Sequence, residues 1–510
     1  MNLASIVDGH EDSRPAIVSR GRVTDYGTLR SQVAGLRGSL VALGVGRNDR
    51  VALVCGNSRA FVVSYLATIG LGAIAVPLNP LAPAPELQRE LEVVSPTLVV
   101  LEASGMPSFA GLSFDRLASL RHVILTDRQG ATSIPDSLDA HSFDEMVAGD
   151  PVPVVEVDDR QPAVLVFTSG TAGSPRAAIL THRNLMANIE QNRRMPDHVR
   201  ADDVVFGVLP VFHIFGLNVV IGMSLDAGAS IVLVQRFDPV TAIETIGQRG
   251  VTVVPGAPPV WVAWSMLEGF GTSHFASVRL ALTGAARTPP EVADRLAEKF
   301  GITLREGYGL TEASPVVTSS VGVEPRRESV GRVVPGVEVR VVDSDGSDII
   351  AGDSGEVLVR GENVFVGYWN DAAATARVLD DDGWLHTGDI GVMDAAGNID
   401  ITDRVKDMFI NGGFNAYPAE IESLMLAHPD IGNVAVIGVP DDRLGEVGYA
   451  FVVPAVGTSP DPAEIIGWCR AEMANYKCPR HVEIVDSLPL NASNKVLKFE
   501  LRDRAIAALS

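Results

Sequence analysis

Apolar side chains fall at helical spacing at Leu29, Val33, Leu36, Leu40 and Leu43, and Gly44 and Gly46 close the stretch, which predicts a helix ending there. The period then shortens. VALV (Val51 to Val54), LVVL (Leu98 to Leu101), HVIL (His122 to Leu125) and AVLVF (Ala163 to Phe167) read as buried strands separated by helical stretches, the pattern of a wound α/β sheet. A second set runs from IVLV (Ile231 to Val234) through VTVVPGAPP (Val251 to Pro259) to LALTGA (Leu280 to Ala285). From Gly331 to Gly367 strands alternate around Asp-Gly and Gly-Asp turns, as in GVEVRVVDSDG and GEVLVRG, which predicts a small β-barrel or hairpin unit. The stretch from Asp403 to Ser510 has its own α and β pattern, with VAVIGV (Val434 to Val439) and HVEIV (His481 to Val485) as strands. The expected architecture is α/β. A large N-terminal domain, 1–402, holds two wound α/β sheets plus a small β-barrel; 403–407 is a hinge; and 408–510 is a small α+β domain.

Composition narrows the class. With 46% hydrophobic and 20% charged residues in 510, the chain can bury more than one core. The most apolar windows, Ala60 to Leu78 and Val204 to Val234, are broken by Gly, Pro, His213, Asn218 and Asp226, so they read as buried elements and no transmembrane segment is expected. A formal net charge of −22 argues against nucleic acid or an anionic membrane as the main partner, since either needs a basic face. Three cysteines, Cys55, Cys469 and Cys478, are too few for a disulfide scaffold, and no signal-peptide pattern opens the sequence, so a reducing cytoplasm is expected.

The most informative stretch is Phe167 to His182, FTSGTAGSPRAAILTH. Gly170 and Gly173 let backbone N–H groups converge, Thr168, Ser169, Thr171 and Ser174 supply hydroxyl donors, and Arg176 supplies charge, which together suit a phosphate. Pro175 and Arg176 stand where a Walker A loop needs its Lys and Ser/Thr, so this is a different phosphate loop.

That loop resembles the signature of the adenylate-forming superfamily, which includes acyl-CoA synthetases, 4-coumarate ligases, luciferases and peptide-synthetase adenylation domains. Further signatures follow in that family's order: PVFHIFG (Pro210 to Gly216), GYGLTE (Gly307 to Glu312), WLHTGD (Trp384 to Asp389), DRVKDMFINGGFNAYPAEIE (Asp403 to Glu422) and LPLNASNKVLK (Leu488 to Lys498). The resemblance covers nearly the whole chain and implies attack of a carboxylate on the α-phosphorus of ATP, giving an acyl-adenylate and pyrophosphate. Anions meet and an anion leaves, so cations and oriented donors matter more than a general acid or base. It further implies that Thr168, Ser169, Gly170, Thr171, Gly173 and Arg176 hold the departing phosphates, that Thr311 donates to the α-phosphate, and that Glu312 holds Mg²⁺. Gly284, Ala285, Glu306, Gly307 and Tyr308 would border the adenine, while Asp389 and Arg404 would take the ribose. Lys495 would bridge carboxylate and nucleotide in the transition state. His213 would gate the acid pocket, although a lone His in an apolar run is ordinarily a core residue.

For the second half-reaction the resemblance implies a mobile C-terminal domain. It turns about Lys406, swinging Lys495 out and bringing Gly412 and Gly413 in beside a pantetheine arm. The sequence departs from the family pattern at Ala172, Arg176, Ala177 and Asn494, where Thr, Lys, Gly and Gly are common, and in TGAARTPP (Thr283 to Pro290). No charged catalytic group is lost. The expected activity is that of an ATP-, Mg²⁺- and coenzyme A-dependent acyl-CoA synthetase of the fatty-acid type, because PVFHIFGLNVV and the lack of acidic partners for a substrate amine point to an apolar acid. The alternatives are a fatty acyl-AMP ligase loading a carrier protein and a non-catalytic acyl or nucleotide sensor; a homodimer is compatible with any of them.

Overall fold

The computed structural model describes the chain apart from residues 128–133, 169–174, 286–287, 328, 344–345, 405–408, 417, 490–495, 497 and 510, and apart from the side chains of residues 354, 402–404, 415, 419, 423 and 499. The first helix, Tyr26–Ala42, starts where Asp25 accepts the Thr28 N–H, and its buried stripe of Leu29, Val33, Leu36 and Leu40 is the one the spacing predicts. Gly44 at φ 79° turns the chain out of it.

Two large sheets follow. In the first the strand order is Asp139–Ser142, His122–Leu125, Leu98–Leu101, Arg50–Val54, Ile74–Leu78, Pro162–Thr168, Arg176–Thr181, parallel except for the final hairpin. In the second, Leu304–Gly309, Leu280–Thr283, Val253–Gly256, Val204–Gly207, Ser230–Leu233 and Pro15–Ser19 run parallel, with antiparallel strands at either edge. Both sheets contribute to one core, in which the helix Arg59–Gly70 is buried from Ala60 to its end. That burial explains its uninterrupted apolar sequence, since a helix between two sheets has no solvent face.

The stretch with the β texture forms an antiparallel meander of Val337–Val342, Ser354–Gly361, Leu385–Met393 and Ile399–Arg404. VTVVPGAPP divides where proline predicts: Val253–Gly256 is strand, and Pro258 and Pro259 open the helix Pro258–Met266. The C-terminal domain has its own core around the long hairpin Ile431–Asp441 and Gly445–Pro454, with His481–Ile484 added in parallel.

Candidate active site

The hairpin Pro162–Thr168 and Arg176–Thr181 brings Thr168 opposite Arg176 at the open end of the first sheet. The segment Val366–Trp369 runs along the far side of this hairpin, with Trp369 N–H donating to Ala177 O and Ile179 N–H to Gly367 O. It carries Tyr368, whose ring lies 5.8 Å from the Arg176 guanidinium and whose hydroxyl donates to Glu312 Oε1 at 2.7 Å. Asp371 Oδ2 meets Arg176 Nε at 3.3 Å. Arg176 and Glu312, 136 positions apart in the chain, thus share one aromatic spacer. Thr311 and Glu312 sit in a single helical turn, Thr311–Ala313, between the antiparallel strands Leu304–Gly309 and Val316–Ser319. Tight packing shapes this turn: a Cβ on Gly309 would lie 2.0 Å from Pro315 O.

Glu306, Gly307 and Tyr308 occupy the strand leading into that turn, with Glu306 paired to Thr283, directly before Gly284 and Ala285. Ala285 holds φ 69°, a conformation that costs a non-glycine residue about 1–2 kcal/mol. Tyr308 donates its hydroxyl to Asp389 Oδ2 at 2.5 Å, and both residues are buried. Asp389 is the cross-strand partner of Arg404, so those two positions are side by side in the meander.

His213 follows the strand Val204–Gly207 and precedes a wide helix, Phe215–Gly222, whose hydrogen bonds span five residues. The Phe215 N–H donates to its Nδ1, and burial pushes the imidazole pKa down to about 4, so the ring is neutral. Asn57 fixes the turn bearing it, donating to Gly207 O and Leu209 O and accepting from Val211 N–H. Asn218 donates to Leu185 O and Ser314 O, locking the wide helix to the segment after Glu312. A cavity of about 140 Å³ opens here, lined by His213, Phe215, Gly284, Tyr308 and Thr311 and continuing past Ile189, Val219, Met223, Leu282 and Val316. Asp197 and Asp226 also line it, and each has a cation: Asp226 pairs with Arg193 at 3.5 Å, and Asp197 with Arg200 at 3.1 Å.

The C-terminal domain packs against His213, one of the residues lining this cavity. Gly412 and Gly413, at φ 62° and 85°, form the two-residue turn between Phe409–Asn411 and Phe414–Ala416, a geometry that demands glycine or asparagine at both positions. A Cβ on Gly413 would lie 2.8 Å from the Ala257 Cβ of the N-terminal domain. Phe414 stacks on Tyr476 at 4.6 Å, faces Phe212 at 6.5 Å and meets His213 edge-on at 6.4 Å.

Residues 5–369 match the AMP-binding enzyme family, and residues 420–495 match the AMP-binding enzyme C-terminal domain. The chain belongs to the AMP-binding enzyme family. It is an adenylate-forming ligase of the acyl-CoA synthetase kind. The chain is 38% identical over 508 residues to 3-[(3aS,4S,7aS)-7a-methyl-1,5-dioxo-octahydro-1H-inden-4-yl]propanoyl:CoA ligase of Mycobacterium tuberculosis (strain ATCC 25618 / H37Rv), spanning 96% of this chain and 95% of that one. It is 35% identical over 491 residues to feruloyl-CoA synthase of an Amycolatopsis species, spanning 96% and 95%. Its fold matches a double mutant of o-succinylbenzoate CoA synthetase from Bacillus subtilis, bound to the product analogue OSB-NCoA, with a TM-score of 0.84 and 25% identity over 98% of each chain.

Within this AMP-binding enzyme the structure brings together Thr168, Arg176, Thr311, Glu312, Gly284, Ala285, Glu306, Gly307, Tyr308, Asp389, His213, Gly412 and Gly413, with the Arg404 backbone beside Asp389. Ser169, Gly170, Thr171, Gly173, Lys406 and Lys495 lie outside the described residues, as does the side chain of Arg404. Sequence reading passed over Tyr368, Asn57, Asn218, Phe414 and Tyr476. Phe414 stands within the DRVKDMFINGGFNAYPAEIE motif and Asn218 within PVFHIFGLNVV, where it reads only as a break in an apolar run; the others are single polar or aromatic residues whose partners are far away in the chain. No cluster of three or more metal-ligating side chains occurs among the described residues. Mg²⁺ nonetheless fits Glu312, because that ion is commonly held by one or two carboxylates together with substrate phosphates.

Proposed function

We propose that the enzyme activates a largely apolar carboxylic acid with ATP and transfers the acyl group to coenzyme A. In the first step a carboxylate oxygen bonds to the α-phosphorus while the bond to the bridging oxygen of pyrophosphate breaks. In the second, the thiol, having lost its proton, attacks the acyl carbon, and AMP departs with the electron pair of the broken C–O bond. Arg176 and the hydroxyls of the 168–174 loop hold the leaving phosphates, Thr311 donates to the α-phosphate, and Asp389 with Arg404 orients the ribose. Glu312 would hold Mg²⁺, which when bound would supply positive charge against the phosphates. Lys495 serves the first step only, and the domain turns about a hinge at 403–407 between the two.

The observation that carries this reading is the Gly412–Gly413 turn seated against Ala257, with the next residue, Phe414, edge-on to His213 of the acid cavity. A pantetheine arm is thin and needs close backbone approach, which two glycines permit. The similarity to a synthetase bound to a CoA product analogue supports the same arrangement. The apolar side chains of the cavity and the ion-paired state of its carboxylates favour an acid without an amine. Ring-bearing acids, like those named in the relatives, and fatty acids are therefore the substrates to test. The described helices include none long and apolar enough to cross a membrane, and the three cysteines are buried and free, which supports a cytoplasmic site of action.

The test is pyrophosphate release across aliphatic, aromatic and alicyclic acids, with acyl-CoA followed by mass spectrometry. Acid-dependent pyrophosphate with acyl-CoA is the expected result. Adenylate without acyl-CoA at any CoA concentration defeats the proposal.

A further inference from the structure

The helix Ala84–Val94 turns Leu87, Leu91 and Val94 into the core of the first sheet, as an amphipathic surface helix should. Its charged positions behave differently. Glu86 and Glu90, one turn apart, are only 6% and 8% exposed. What covers them is the C-terminal domain. Lys477 Nζ donates to Glu86 Oε1 at 2.8 Å and to Glu420 Oε1 at 3.0 Å, the Ala474 N–H donates to Glu86 Oε2 at 2.6 Å, and Arg89 reaches Glu472 O at 3.3 Å.

Lys477 directly follows Tyr476, and Tyr476 stacks on Phe414, the residue after Gly413. A short series of contacts therefore leads from Glu86 through Lys477, Tyr476 and Phe414 to the glycine turn at His213. We propose that Glu86 and Lys477 are positioning residues for the thioester-forming step, docking the C-terminal domain in the one orientation that presents Gly412 and Gly413 to the acyl group. This rests on the ligase reading above.

The physical case lies in how a buried ion pair fails. A surface pair tolerates slack, whereas a buried ammonium that loses one carboxylate is left desolvated and uncompensated. When the C-terminal domain leaves, Glu86, Glu90 and Lys477 return to water and are hydrated. The favourable states are fully docked and fully separated, and partial docking is penalised between them. Glu90 adds to this selectivity: its Oε2 has no hydrogen-bond partner, and burial next to Glu86 holds its carboxyl pKa up at about 8, so the neutral form is the one accommodated.

The test uses full-length Glu86→Gln, Lys477→Met and the double variant. Glu86→Gln keeps the shape of a side chain that faces water once the domains part, so it does not threaten the N-terminal fold. Three quantities are read: single-turnover pyrophosphate release without CoA, acyl-CoA formation from preformed acyl-adenylate against CoA concentration, and hydrogen exchange along residues 84–94 without CoA. We expect adenylate formation within about twofold of wild type, and thioester formation lower by about tenfold to a hundredfold, the usual cost of misplacing reacting groups by an ångström. Exchange in the helix should rise, and the double variant should be no worse than the worse single one. Parallel loss of both half-reactions, or unaltered thioester formation with unaltered exchange, overturns the proposal. A wild type that makes adenylate but no acyl-CoA removes the ligase reading instead, and the exchange measurement then decides the docking role alone.

Discussion

The hydroxyl of Tyr368 donates to Glu312 Oε1 at 2.7 Å while the same ring lies against the Arg176 guanidinium. One aromatic side chain thereby holds a cation and a carboxylate at a fixed separation. A planar guanidinium can lie on a ring and still meet Asp371 edge-on, which gives a reason for Arg at a position where Lys is common. Tyr368→Phe keeps the ring and loses the hydroxyl. Since a hydrogen bond to a charged group contributes about 1.5–3 kcal/mol, pyrophosphate release at limiting Mg²⁺ should fall about tenfold or more, with the deficit shrinking as Mg²⁺ is raised. A Mg²⁺ titration that superimposes on wild type would separate Glu312 from the metal.

His213 is neutral in the fold, with its pKa lowered by burial to about 4 from 6.5. The sign follows from linkage: its contribution to stability is complete above about 6.5 and is lost as pH falls toward 4. Adenylation between pH 6.5 and 8 should therefore show no titration that disappears in His213→Phe. That variant should instead change the KM for the acid and leave the KM for ATP alone. An equal change in both constants would place His213 in the nucleotide site.

The periodicity showed the two wound sheets and the separate C-terminal pattern, because strand and helix periods are local. The motif residues were legible for the same reason: GYGLTE and WLHTGD keep their neighbours in the chain. Glu86 and Glu90 were not. A carboxylate pair on a leucine-striped helix reads as solvated, and only the docking of a domain nearly 400 positions away reverses that, as the Ala474 N–H on Glu86 shows. Tyr368 was missed similarly, since its partners Arg176 and Glu312 come from two other segments. The wide helix after His213 was also hidden, because FGLNVVIG has the composition of an ordinary buried helix and only Asn218 hints at a polar lock.

Lys495→Ala tests the division of labour between the half-reactions. Losing a charge-stabilising group aimed at the transition state commonly costs about 10²–10³ in rate, so acid-dependent pyrophosphate release should fall by that amount. Conversion of supplied acyl-adenylate to acyl-CoA should persist. If both fall together, Lys495 is serving the fold or both steps.

Glu90 gives the domain interface a pH dependence of known sign. Its folded pKa is raised to about 8 from 4.5 by burial and by Glu86, against the opposing pull of Lys477, with Glu420 and Arg89 also nearby. A raised carboxyl binds more protons in the fold, so the stability it permits is complete below about 4.5 and declines as pH rises through 8. Thermal midpoints of wild type should drop between pH 7 and 9 more steeply than those of Glu90→Gln, which cannot ionise. Parallel curves would mean that Glu90 does not titrate in this interval.

The glycine turn allows a test with its own rescue. Gly413 has φ 85°, and an added Cβ would stand 2.8 Å from the Cβ of Ala257. Gly413→Ala therefore meets two penalties in this arrangement: left-handed strain of about 1–2 kcal/mol and a contact across the domain interface. The contact exists only while the turn is seated at the cavity, so acyl-CoA formation from adenylate should fall about tenfold or more, with pyrophosphate release spared. Ala257→Gly removes the opposing methyl and should restore part of the loss in the double variant, leaving the share that belongs to backbone strain. That partial recovery is specific to a turn pressed against Ala257 during thioester formation. If Ala257→Gly gives no recovery, while Gly413→Ala still impairs the step, the turn acts through its own conformation rather than through the seat seen here.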